Sequence, residues 1–191
     1  MIIKIMTKKE KKVTFCVNRL VTLPSLFADF NEFKVGDQIE LNRGYTATCQ
    51  KINKKGEALF LLDQVLEKEV PHNEVQNLMN HAFFDADIFD DVKDYVVRFN
   101  NNMIFRLPYT EEVFGELDWV KPSKKKQWEL MKSAKNRIAV DQDGNSTWYW
   151  LENQHKDSAS NFAIADSSGY AYYNSASYPS SVRPVFKLKI Q

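Results

Sequence analysis

The sequence predicts an α+β fold, in which strands and helices are segregated along the chain. Three observations lead there. Residues 38–41 and 45–52 alternate apolar and polar side chains at period 2, the signature of half-buried strands. Between residues 72 and 99 the apolar spacing becomes helical. From Val140 onward bulky strand-like runs return, so strands, helices and strands follow one another without the βαβ alternation of a parallel sheet.

With 191 residues, 43% of them apolar, the chain can build one sizeable core. A domain of this size buries roughly 70% of the surface its extended chain exposes and needs no staples. A net charge of +1 gives no general attraction to polyanions or anionic membranes, so direct nucleic-acid binding is not expected. Cys16 and Cys49 are expected as buried free thiols, with one disulfide as the alternative. Lysines interrupt the apolar run over residues 1–13, so no signal peptide is expected. No apolar stretch reaches the ~20 residues of a membrane span. These features predict a soluble protein made in a reducing cytoplasm, without a membrane partner.

Residues 1–33 read as a separate opening segment. Lys4, Lys8, Lys9, Lys11 and Lys12 precede a strand over 13–17, and Pro24 ends regular structure. The lysines read as a solvated face, or alternatively as a contact for nucleic acid or an acidic partner, with residues 1–33 a possible docking element. The domain proper then runs from 34 to 191. Residues 34–70 predict a β-meander of three strands, with Gly56 at a positive-φ position in the 53–56 turn. Asn73 is an expected N-cap for a helix burying Val75, Leu78, Met79 and Ala82. A second helix is expected from Ile88, Val92, Tyr95 and Val96. Its other side carries Asp85, Asp87, Asp90, Asp91 and Asp94, which is either the wet face of an amphipathic helix or a mimic of a phosphate backbone.

Residues 100–102 predict a turn and 103–107 a short strand. Glu111 and Glu112 would occupy the first turn of a helix beginning at Thr110, where the macrodipole favours acids. Residues 127–137 predict a helix with Trp128 and Met131 inward. Turns at 141–145 and 166–169 separate strands over 148–151, 162–165 and 170–173, and a last strand covers 182–190. Pro184 belongs at that strand's start, because it cannot donate to a ladder. Its expected partner is the strand near Ile39.

Between Lys156 and Arg183 the chain contains no Lys, Arg or Glu. Serines at 158, 160, 167, 168, 175, 177, 180 and 181 alternate with Tyr170, Tyr172, Tyr173 and Tyr178. This is the palette of an antibody paratope, where Tyr gives contact area at low entropic cost and Ser and Asn give adaptable hydrogen bonds. A polar hairpin with half-buried tyrosines is the alternative. A disordered linker is not expected to alternate Phe162 with Ile164.

The run Trp148, Tyr149, Trp150 and Leu151, followed by this small-polar stretch and by Val182, Arg183, Pro184, Val185 and Phe186, resembles a phage and bacterial family of unknown function. That family is similar to the variable proteins of diversity-generating retroelements and ends in a "WWLRSP … GVRP" signature. The resemblance covers residues 34–191 and implies a C-type-lectin-like fold, shared with formylglycine-generating enzymes. Two departures stand out: Glu152, Asn153 and Gln154 replace the usual Arg-Ser-Pro, and residues 1–33 have no counterpart. By analogy with the diversified positions of that family, Asn161, Asp166, Tyr170, Tyr172, Tyr173, Asn174 and Tyr178 are the expected ligand contacts.

Catalysis is not expected. The oxidising cysteine pair of the enzyme relative has no equivalent, because no cysteine follows Cys49. His72, His81 and His155 lack zinc-site spacing, and Asp141, Asp143 and Asn145 lack the glutamate of a calcium loop. No metal or cofactor is expected. The functional expectation is a phage- or prophage-encoded, non-enzymatic recognition module for a protein or glycan surface. The alternatives are an intracellular, anti-CRISPR-like inhibitor of a host nuclease complex acting through the aspartate strip, and a virion or tail component.

Overall fold

The computed structural model describes residues 20–21, 34–99 and 103–189, and the fold is α+β. Strand β1 (Leu20–Val21) lies parallel to β2 (Gln38–Glu40), which is antiparallel to β3 (Thr46–Ile52). β3 turns at residues 53–56 into β4 (Glu57–Leu62), with Gly56 at φ 72° where a side chain would be strained. A bulge between Cys49 and Lys51 shifts the β3–β4 register by one residue. Two residues of the expected N-terminal extension thus belong to the main sheet. The lysine cluster, the strand over 13–17 and Cys16 lie outside the described residues, as does the turn at 100–102.

Helix α1 (Val75–Phe84) buries Val75, Met79 and Ala82 of the expected stripe, with Leu78 half-buried and Phe83 buried in addition. Asn73 does not cap it. A 3-10 turn, His72–Glu74, leads in, and no side chain bonds the helix start. The second helix expected at 88–96 is instead a 3-10 segment, Asp90–Tyr95, entered through Asp87 at φ 53°. Aspartates compete for backbone bonds and favour turns, so the apolar spacing of Ile88 and Val92 is met without α-helical geometry. Helix α2 (Thr110–Phe114) follows. The helix expected over 127–137 splits into a 3-10 turn, Glu129–Lys132, and α3 (Ala134–Arg137), because Ser133 is extended. Asn136 Nδ2 bonds the Leu130 carbonyl, and Arg137 Nε bonds that of Met131, so side chains satisfy the carbonyls that a continuous helix would use.

A short ladder joins β5 (Ala139–Val140) to β6 (Ser146–Thr147). β7 (Tyr149–Gln154), β8 (Asn161–Ala165) and β9 (Ala171–Ser175) form a three-stranded antiparallel sheet with β8 in the middle. β10 (Val185–Lys189) pairs with β4 along five residues, not with the strand at Ile39. The reason is topological: β2 already has β1 on one edge and β3 on the other. Residues 103–107 contribute only a single bridge, Arg106 to Val185.

Period-2 alternation divides the interior into two apolar clusters. From β7 and β8, Trp150, Phe162 and Ile164 face one cluster, while Tyr149, Leu151, Ala163 and Ala165 face the other. From β4 and β10, Phe60, Leu62, Phe186 and Leu188 join the first, and Leu61 and Val185 the second. Strands β4, β7, β8 and β10 are therefore covered on both faces, which explains why residues 148–151 read as an unbroken apolar run. Arg183 ties the sheets together. Its Nε bonds the Leu62 carbonyl at 2.7 Å, and its guanidinium lies over the Tyr149 ring. Among the described residues no helix is long and apolar enough to cross a membrane.

Candidate functional site: an aromatic ridge on the β8–β9 hairpin

The β8–β9 hairpin is fastened at both ends. At the turn, Asp166 Oδ1 accepts the amides of Ser168 and Tyr170, and Gly169 sits so close to α3 that a Cβ would lie 2.6 Å from the Ala134 carbonyl oxygen. Beyond β9 the chain returns along residues 70–72. Val70 and Ser180 exchange backbone bonds, and His72 N donates to the Ala176 carbonyl. The His72 ring stacks on Phe162 at 3.6 Å and meets Trp150 edge-on. Burial holds this imidazole below its ordinary pKa, a bond to the Leu151 backbone only partly opposing it.

Hydrogen bonds fix which backbone groups of β9 face outward. Asp166 N donates to the Tyr170 carbonyl and Ala176 N to that of Ser160, so residues 170, 172, 174 and 176 bond inward to β8. Ala171, Tyr173 and Ser175 face the open edge. Ser175 is closed locally, its N–H donating to Asn174 Oδ1 and its carbonyl accepting from Tyr178 N. Tyr172 and Tyr173 leave the strand on opposite faces, yet their rings stack 5.3 Å apart and within 5° of parallel. Both rings must therefore bend over the open edge. A strand edge roofed in this way is blunted against chance pairing.

From that stacked pair the rings continue in both directions. Trp148 meets Tyr172 edge-on at 6.2 Å. On the other side, Tyr173 contacts His155 at 4.9 Å and Trp119 at 5.9 Å, and Trp119 stacks on His155. The result is a convex ridge of five rings wrapped around one sheet edge. Tyr170, Tyr172, Tyr173 and Tyr178 are 65%, 54%, 41% and 62% exposed, and Trp148 is 43% exposed.

The structure thus brings together Tyr172 and Tyr173 from the expected contacts and places Tyr170 and Tyr178 on the same hairpin, outside the ring contacts. Asn161, Asp166 and Asn174 are half-buried. Asp166 and Asn174 spend an oxygen each on local backbone amides, and Asn161 accepts the His155 amide through its carbonyl. Ser180 and Ser181 are buried. Trp148, His155 and Trp119 were not among the expected contacts. Trp148 was within reach of the sequence, two residues from Trp150 on the same face. Trp119 was not, because a long-range bridge between Val120 and His155 delivers it.

The ridge is carried by a buried polar knot. Glu112 accepts two bonds from Arg106, at 2.6 and 2.7 Å, and one from Tyr109 N. Glu111 accepts from Ser123 N, Ser123 Oγ and Asn153 Nδ2. Burial works against the Glu111 carboxylate, but these donors outweigh it and hold its pKa below the ordinary value. Burial pushes the Glu152 carboxyl up, with Arg106 pulling the other way. Glu111 and Glu112 stand in the first turn of α2, as the sequence predicts, and are also buried ties between α2, the 121–123 loop and β7.

The aspartates at 85, 87, 90, 91 and 94 are all exposed but do not share one helix face. Asp85 pairs with His81, Asp87 with Arg43 and Asp90 with Lys93. Asp141 Oδ1 caps its own turn by accepting the amides of Asp143 and Asn145. Among the described residues no group of three or more His, Cys, Asp or Glu side chains is placed to hold a metal ion. Cys49 is a free buried thiol, its pKa pushed up to about 12, chiefly by burial. No protein-family profile matches the chain, and no curated protein shows detectable similarity to it.

Proposed function

We propose that this chain is a non-enzymatic recognition module that grips a protein or glycan surface with the β8–β9 hairpin and its flanking rings. The observation that carries the reading is the ridge of exposed Trp148, Tyr172 and Tyr173 with half-buried His155 and Trp119, on a sheet whose strands β7 and β8 are covered on both faces. Large aromatic groups left in water on a rigid scaffold are unusual unless something covers them. Here they stand ordered before any ligand arrives, because each ring is held by its neighbour. Ordering beforehand lowers the entropy lost on binding. The reading accords with the C-type-lectin-like layout that the Trp148 and Arg183 motifs imply.

The test pairs Tyr172→Ala with Tyr173→Ala in the full chain and probes it with a random-peptide display library and a printed glycan array. Ligands selected by the wild-type chain should lose at least tenfold in affinity, while the thermal midpoint stays within a few degrees. If selected ligands bind the double variant undiminished, or if the variant loses binding only because it unfolds, the ridge is not the recognition face.

A further inference from the structure

Resting on that reading, we infer that the ligand of the ridge is an uncharged carbohydrate chain. Three features of the face select this class over peptides and nucleic acids.

The first is charge. Residues 157–182 contain no Lys, Arg or Glu, and the Oδ1 atom of Asp166 is taken up by its own turn. Lys121, at the Trp119 end, already bonds Gln154 through its ammonium group. A phosphodiester chain draws its affinity from cations set along its path, and the hairpin offers none. The second is the kind of apolar surface. Every exposed large hydrophobic residue on the face is Trp or Tyr, while Phe162, Ile164 and Val182 pack inward. The Met and Arg that are enriched beside aromatics in protein–protein cores are missing here, although Tyr and Ser alone also serve paratopes, which is why a peptide library stands beside the glycans in the test. Ring faces without aliphatic neighbours suit the C–H faces of pyranose units.

The third is the hydrogen-bonding inventory around the hairpin. Ser158 pairs with Ser160 and Ser175 with Ser177 through their hydroxyls, and each pair keeps spare donor and acceptor capacity. Asp157 N donates to His155 Nδ1 at 3.1 Å, which leaves the proton of the neutral ring on Nε2 as a donor of fixed tautomer. Rings and hydroxyls on one hairpin complement a polymer whose own surface combines C–H faces with hydroxyls. Successive centroids from Trp148 through Tyr172 and Tyr173 to Trp119 lie 6.2, 5.3 and 5.9 Å apart. The ridge is long enough for several linked sugar rings.

The experiment uses the full chain on an array of uncharged, sulfated and uronic-acid glycans, beside a random-peptide display library. The expected result is saturable binding to uncharged glycans of three or more units, unchanged by EDTA and by raising salt. Tyr172→Ala should weaken it about tenfold, the scale of one lost ring contact. Tyr178→Ala, at a ring with no aromatic neighbour among the described residues, gives a second readout should the first variant fold poorly, and should weaken binding more mildly. Binding only to acidic glycans, or only to peptides through the same tyrosines, overturns the carbohydrate assignment and leaves the recognition face standing. No ligand in either library overturns both.

Discussion

Replacing Arg106 by Met should cost more stability than any other single change at the base of the ridge. The guanidinium is almost fully buried, donates twice to Glu112 and once to the Leu107 carbonyl, and lies over the rings of Phe99 and Tyr109. Met keeps much of the stacked volume but leaves the Glu112 carboxylate without its partner. Stranding one half of a buried ion pair costs about 3–5 kcal/mol. For a domain of this length each kcal/mol lowers the midpoint by roughly 2–4 °C, so the expected fall is on the order of 6–20 °C. Adding Glu112→Leu should recover most of it, short of about 1 kcal/mol for the lost bond to Tyr109 N. Calorimetry and urea unfolding of the single and double variants at pH 7 measure these differences. A single variant within ~1 kcal/mol of wild type, or a double variant no better than the single, would refute the reasoning.

Two further outcomes follow from the same framework. Gly169→Ala combines φ of +81° with a Cβ placed 2.6 Å from a backbone carbonyl oxygen, so it should cost about 2–4 kcal/mol and loosen the hairpin turn. Faster amide exchange over residues 166–176 would register the loosening, and unchanged exchange would count against the close approach to α3. Glu111 is held below its ordinary pKa of 4.5, so its contribution is present above that value and lost as pH falls through the folded-state value. The stability gap between wild type and Glu111→Gln should therefore narrow as pH falls from 7 to 3. A gap that widens on acidification would contradict the bonds from Ser123 and Asn153.

Local signals determined much of this protein. Alternation at residues 38–41, 45–52 and 162–165 and bulky runs at 148–151 and 170–173 marked the strands, because a side-chain period of 2 is a property of the backbone itself. Gly56 and Asp166 fixed their turns through conformational freedom and a short-range carboxylate bond. The uncharged Tyr and Ser window marked the hairpin that carries the ridge. Apolar spacing alone could not separate an α-helix from the 3-10 segment at Asp90–Tyr95, since Ile88 and Val92 reach the core either way. Strand order lay further out of reach. The pairing of β10 with β4 depends on which edges earlier strands have filled, and that is settled between residues over 120 positions apart. The same holds for the ridge. Tyr172 and Tyr173 were visible as a pair, but their bend over the open edge and their extension to Trp148, His155 and Trp119 arise only when β7, β8, β9 and the 119–121 loop meet in space.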